Sequence, residues 1–198
     1  MTLPPVVIIP QPRDGARAWQ RVANLAQQVA SDVVAVEPSG TSLAADAQLV
    51  RAALAAAAEP PLILAHGYGA LIATLAATRR NAAHFIFVAG YMLDYGETIY
   101  DVIGGPATAV NRTPVDTVGW RTLATTYVVC NADRTHSPAV QQRLALTRAT
   151  TLVELDAGEQ PYRTHAEALV QVLHEELIAL RGGELAPTLT LARSRTAS

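Results

Sequence analysis

Short, continuously apolar β-branched runs alternate with longer stretches of helical period, and this alternation constrains the fold of the 198-residue chain more than any other feature. The runs fall at residues 6–9, 33–36, 62–65, 84–89, 126–130 and 151–155. They lack the in–out alternation of a half-exposed strand, which is the pattern of strands buried on both faces. Helical patterns occupy residues 16–30, 43–57, 69–78, 138–148 and 164–180, and in the last of these Ala168, Val172, Leu173 and Leu177 form one apolar stripe. The arrangement predicts an α/β fold over residues 1–182: one doubly wound parallel sheet of about six strands, flanked by helices. From Gly182 onward the composition changes to glycine, proline and scattered threonine, which predicts a flexible C-terminal tail over residues 183–198.

Half of the residues are hydrophobic, enough for a sizeable core, and the formal net charge is −2. That balance gives no electrostatic footprint for nucleic acid or an anionic membrane. No apolar run approaches the roughly 18–20 residues needed to span a bilayer, and the first residues lack the pattern of a signal peptide. A cytoplasmic protein is the expectation. The one cysteine, Cys130, has no partner for an internal disulfide. There is no Cys/His spacing for a metal and no glycine-rich phosphate loop, so no cofactor is expected. All the basic side chains counted are arginines, which with the abundant alanine and valine suggests a GC-rich bacterial genome.

Ligands of such sheets bind beyond the carboxyl ends of the strands, so the informative loops are residues 10–14, 37–40, 66–70, 90–97, 131–136 and 156–162. The segment Leu62-Ile63-Leu64-Ala65-His66-Gly67-Tyr68-Gly69-Ala70 reads as a buried strand, a tight turn of small residues, then a helix. It resembles the nucleophile elbow of the α/β-hydrolases, with Gly67 at the position of the nucleophile. Further segments resemble the methylesterase and hydroxynitrile-lyase branch of that superfamily. They are Ile8-Ile9 with a loop ending at Trp19, Val36-Glu37-Pro38-Ser39-Gly40-Thr41-Ser42-Leu43, Phe87 to Thr98, Tyr127 to Asp133, and Leu155 to Pro161.

The resemblance implies that Asp133 occupies the place of the triad aspartate and Glu159 that of the triad histidine. A serine mechanism needs a hydroxyl, a base and N–H donors for the oxyanion. Gly67 has no hydroxyl, and Glu159 is not an imidazole. Pro12, aligned with a residue whose N–H the family uses, has no N–H, leaving that of Tyr68. Only about residues 99–123 are available for the family's helical lid, so a minimal lid is expected. An open, apolar rim would favour a homodimer.

If Asp133 and Glu159 keep the family's positions, two carboxyl groups share the site and one of them holds a proton, giving an acid–base pair. The alternative is that Arg134 or Arg163 neutralises one of them. Gln11, His66, Gly67, Tyr68, Tyr91, Trp120 and His136 are the expected lining of a pocket for a small apolar organic ligand. Set against this, His66 can pack beneath the turn, and the aromatic residues, with Tyr95 and Tyr162, can be ordinary half-buried side chains. Glycine at position 67 also relieves backbone strain and would open room above the turn. Three functions are consistent with the residues. One is a non-hydrolytic cyclase, lyase or isomerase acting on an apolar metabolite, in specialised biosynthesis. Another is a silent ligand-binding or protein-interaction pseudohydrolase. The third is a hydrolase whose nucleophile has moved to Ser39, Ser137 or Cys130. A dry, concave pocket favours the first, a pocket filled by side chains the second, and a serine or cysteine bonded to His66 or His136 the third.

Overall fold

The computed structural model describes residues 3–182 and the backbone of residues 191–195. Its strands are β1 (Val6–Ile9), β2 (Val33–Ala35), β3 (Leu62–His66), β4 (His84–Val88), β5 (Ala124–Cys130), β6 (Thr151–Leu155) and β7 (Leu191–Arg195). They form one sheet in the order β2-β1-β3-β4-β5-β6-β7, and every neighbouring pair is parallel. The first six are those expected, shifted by a residue or two at their ends. Strand β7 adds a seventh within the segment expected to be a tail, whose other residues lie outside those described.

Eight helices accompany the strands among the described residues: α1 (Gly15–Ala18), α2 (Gln20–Ala26), α3 (Leu43–Ala56), α4 (Tyr68–Ala76), α5 (Ile99–Val102), α6 (Pro138–Arg148), α7 (Pro161–Thr164) and α8 (Ala166–Gly182). Because successive strand residues face opposite ways, the sheet divides its apolar side chains between two cores. Val6, Ile8, Leu62, Leu64, Val128 and Cys130 pack with residues of α2 and α8. Val7, Ile9, Ile63, Phe85, Phe87 and Val129 pack with α3, α4 and α6.

Two expected helices are broken, each beside a buried aromatic residue. The pattern over residues 16–30 becomes α1 and α2, separated at Trp19 (φ −93°, ψ 4°). The Trp19 ring is wholly buried and packs on Tyr162 with centroids 4.8 Å apart. The pattern over residues 164–180 becomes α7 and α8, broken at His165 (φ −134°, ψ 36°), which brings the buried Tyr162 onto Trp19. In both places an aromatic ring placed against the sheet outweighs helical continuity, since such a ring removes a large apolar area from water.

The lid is minimal, as expected. Between β4 and β5 the chain makes only α5 and two 3-10 turns, Val110–Arg112 and Gly119–Thr122. It is anchored by a small core of Leu71, Leu93, Ile99 and Val115. No helix among the described residues is long and apolar enough to cross a membrane.

At the amino end of the sheet, buried His84 is hydrogen-bonded to Thr126 Oγ1 at 2.9 Å, and Thr126 donates to Glu176 at 2.6 Å. Burial pushes His84 down to about 4, so its imidazole is held neutral in the fold, and burial also raises Glu176. An unfolded histidine takes up a proton near pH 6.5, while the folded one resists down to about 4. Stability is therefore full above pH 6.5 and falls as the pH drops toward 4. Between pH 7 and pH 5 the loss from His84 should be about 2 kcal/mol. Urea denaturation of wild type and His84→Gln at the two pH values checks this: the pH-dependent difference should shrink in the variant.

Candidate functional site

Strand order supplies the location. From β1 the chain crosses to β2 on one side, then returns to β3 on the other, so the carboxyl ends of β1 and β3 form a topological switch point where ligands of open α/β sheets bind. The loop after β1 brings Gln11 there, and the turn after β3 brings Gly67.

Gly67 forms a tight strand-to-helix turn with φ 52° and ψ −123°, immediately ahead of α4. Its carbonyl accepts hydrogen bonds from Ala70 N at 3.2 Å and Tyr91 N at 3.1 Å, which ties the segment after β4 to the turn. Ala89, just before it, has φ 43° and is the one non-glycine residue with positive φ among those described. Such a conformation costs on the order of 1–3 kcal/mol and tends to persist at functional sites.

The room expected above Gly67 is taken by Gln11. A Cβ added at Gly67 would lie 2.8 Å from Gln11 Oε1, and Gln11 is only 5% exposed. In the same loop, the buried carboxylate of Asp14 places its Oδ2 3.3 Å from His66 Nδ1. Burial raises the Asp14 pKa, but bonding from His66, Gln11 and Tyr162 outweighs it and leaves the group below its usual range. His66 is wholly buried, 5.6 Å from the Trp19 ring and 5.7 Å from Tyr162 between centroids. It packs beneath the turn and does not line a pocket; burial lowers its pKa against the pull of Asp14.

Beside the turn, Tyr91, His136 and Asp133 come together. The Tyr91 hydroxyl is hydrogen-bonded to His136 Nε2 at 2.7 Å, with the two rings edge to face at 5.1 Å. On the far side of the imidazole, Nδ1 lies 3.7 Å from Asp133 Oδ2. Asp133 Oδ1 accepts backbone N–H bonds from Thr135 at 2.8 Å and His136 at 3.0 Å. Burial raises its pKa, but these bonds and the His136 side chain outweigh that and hold it below the usual carboxylate range. Gln141 braces the loop, donating to Asp133 Oδ2 at 3.2 Å and to His136 O at 2.8 Å while accepting from Cys130 N. Burial chiefly pushes Tyr91 up to about 12, against the opposing field of Arg13. The phenol is therefore protonated at neutral pH.

The expected sharing of one proton by Asp133 and Glu159 does not match these partners. Glu159 is bonded to Arg13 and to the Thr135 hydroxyl, while Asp133 has its own set of donors. Arg13, rather than Arg134 or Arg163, is the cation on Glu159. Trp120 belongs to the core: it is 6% exposed, and its Nε1 donates to Leu93 O at 2.8 Å. Tyr68 stands edge-on to Tyr91 at 6.3 Å, at the rim of the site. Between Tyr91, His136 and α6 there remains a void of only about 10 Å³. Asp14, Arg13 and Gln141 have no motif that marks them. The spacing Asp133-x-x-His136, within one loop after a strand, was the available signal for the relay.

None of the relocated nucleophiles is bonded to a histidine among the described residues. Ser39 is bonded to Asp46 and Thr41. Cys130 is fully buried, and that burial pushes its thiol up to about 12. Ser137 is exposed at the start of α6, and its hydroxyl makes no hydrogen bond to His136.

The parallel sheet flanked by helices and the strand-to-helix elbow are those of the α/β-hydrolase fold. Solved structures agree. The chain is similar to a pyrethroid hydrolase in two crystal structures, with TM-scores of 0.75 and 0.69, the second from Sphingobium faniae JZ-2. Each is 16% identical and covers 90% of this chain and 98% of the other. An extracellular α/β-hydrolase from a Paenibacillus species, described as sharing structural and functional homology with tobacco salicylic acid binding protein 2, has a TM-score of 0.68 at 11% identity, covering 88% and 97%. Polyneuridine aldehyde esterase has a TM-score of 0.69 at 12% identity, covering 87% and 100%. No protein-family model and no curated protein matches the sequence. At these identities the likenesses establish the fold.

Gly67→Ser is expected neither to bind a fluorophosphonate probe nor to hydrolyse esters. Gln11 would have to move to admit the side chain, and the positive φ would cost on the order of 1–3 kcal/mol. Probe labelling and urea denaturation check both parts. A labelled Ser at that position would show that an imidazole reaches the turn.

Proposed function

We propose that this protein is a non-hydrolytic enzyme of the α/β-hydrolase fold, of the lyase, isomerase or cyclase type. It acts on a small apolar carbonyl metabolite, and Tyr91, His136 and Asp133 move the proton. The observation that carries this reading is the 2.7 Å contact between the Tyr91 hydroxyl and His136 Nε2, with Asp133 behind the ring. A hydroxyl, a base within hydrogen-bond reach and a third group orienting the base are the parts of a proton relay. The high pKa of Tyr91 makes it a proton donor rather than a standing phenolate. The Tyr91 phenol oxygen accepts the substrate's hydroxyl proton as it passes its own to His136 Nε2, and the resulting imidazolium returns that proton through Tyr91 to the anion released, so the relay ends as it began. Asp133 stabilises the imidazolium while it exists. Gln11 and Tyr68 border the substrate, and Gly67, covered by Gln11, contributes no nucleophile, so the triad of the fold is degenerate. The neighbours named as hydrolases lend their fold to this reading and not their reaction.

The second reading, a silent ligand-binding or interaction pseudohydrolase, is favoured by Gln11 lying over Gly67 and by the small void beside His136. For either reading we place the protein in the cytoplasm. We place a homodimer contact on the lid side, where Tyr95, Tyr100 and Val110 are exposed; sedimentation velocity tests it.

The deciding experiment pairs a fluorophosphonate probe and activated esters with a panel of cyanohydrins and β-hydroxy carbonyl compounds. No labelling and turnover only in the second panel are expected. A serine identified by mass spectrometry overturns the proposal, and calorimetric binding without turnover transfers the site to the second reading.

A further inference from the structure

A cleft of about 390 Å³ lies on the flank of the molecule, separate from the relay and lined by a different set of residues. Its size falls within the range of about 300–1,000 Å³ typical of small-molecule sites. One wall is a single face of α3, where Ala44, Ala47, Gln48 and Arg51 recur at helical spacing. Leu71 and Leu75 of α4 supply apolar lining, and the 113–117 segment of the short lid, whose Val115 packs in the same small core as Leu71, lines the rest.

The two walls carry opposite charges. Arg51, exposed on α3, donates from Nη2 to Leu75 O at 2.7 Å. Asp116, on the lid wall, accepts only from the Thr117 hydroxyl at 3.2 Å. Neither has an ion-pair partner among the described residues, so the cleft presents one unpaired cation and one unpaired anion beside an apolar lining. A simple fatty acid would satisfy Arg51 and be repelled by Asp116. A hydrocarbon would leave both charges unused.

We infer that this cleft binds a small apolar zwitterion of amino-acid or dipeptide size, its carboxylate on Arg51, its ammonium group on Asp116 and its apolar side chains on Leu71 and Leu75. The guanidinium fork suits a carboxylate, and each charge-assisted bond adds selectivity at a half-open site.

Isothermal titration with leucylphenylalanine tests this on the full chain, alongside its N-acetyl form, which lacks the ammonium group, and its C-terminal amide, which lacks the carboxylate. Saturable binding of the zwitterion is expected, with each blocked form weaker by about two- to fivefold, as exposed charges give. Arg51→Gln and Asp116→Asn should each weaken the zwitterion similarly, and each should narrow its advantage over the form blocked at the matching end. Ala44→Trp, at an exposed helix position, should fill the cleft and remove binding while leaving the thermal melt unchanged. Equal affinity for all three probes, undiminished binding in Ala44→Trp, or no binding of the zwitterion up to its solubility limit overturns the inference.

Discussion

Tyr91→Phe and His136→Ala should each lower kcat by about 10²–10⁴-fold on any substrate whose turnover passes through the relay. That corresponds to about 3–5 kcal/mol of transition-state stabilisation. Tyr91→Phe keeps the ring, its edge-to-face contact with Tyr68 and the backbone bond to Gly67, and removes only the oxygen hydrogen-bonded to His136. KM should therefore change little, and the double variant should lose no more than the worse single one, since the two groups act as one unit. Asp133→Asn separates orientation from proton transfer: the amide can still accept the Thr135 and His136 N–H bonds through one oxygen but no longer stabilises an imidazolium. A kcat within twofold of wild type in Tyr91→Phe would reduce the cluster to packing.

Gly69→Ala should be the most disruptive single-methyl change near the site, destabilising the protein by about 3 kcal/mol or more. Its Cβ would fall 2.5 Å from both Ile9 O and Pro10 O and 2.8 Å from Pro10 C. These are backbone atoms at the end of β1, and no rotamer change can move them. Either α4 lifts from the sheet or the β1 exit shifts, and both loosen the seat of Gln11. Gly67→Ala differs in kind, because its added atom meets the end of the Gln11 side chain. Urea denaturation of the two variants measures the contrast. Equal stability losses would mean that the approach of α4 to β1 is less tight than these distances imply.

Much of the architecture was legible because burial on both faces leaves a one-dimensional trace. The apolar runs of β1, β3 and β4 and the helical stripe of α8 need no knowledge of their neighbours to be recognised. The turn at Gly67 was legible for a related reason, since small residues between a buried strand and a helix admit few backbone paths. The helix breaks at Trp19 and His165 were not, because local periodicity favours continuation and only the packing of Trp19 on Tyr162 opposes it.

Side-chain pairing is where local reading ended. Asp133 and Glu159 were expected to face each other, but Arg13, 146 residues away from Glu159, takes that carboxylate, and Asp133 turns to its own loop and to Gln141. Tyr91 and His136 are 45 residues apart and meet because parallel strands β4 and β5 deliver their loops to the same end of the sheet. The sequence by itself determined the parallel sheet and the glycine, rather than a serine, at the turn after β3, since these follow from residue type and nearest-neighbour pattern. Which polar groups share a proton, and that Gln11 rather than a cavity stands over Gly67, was decided only by the tertiary structure. Hydrogen bonds act over about 3 Å, and only the packed fold brings groups distant along the chain that close.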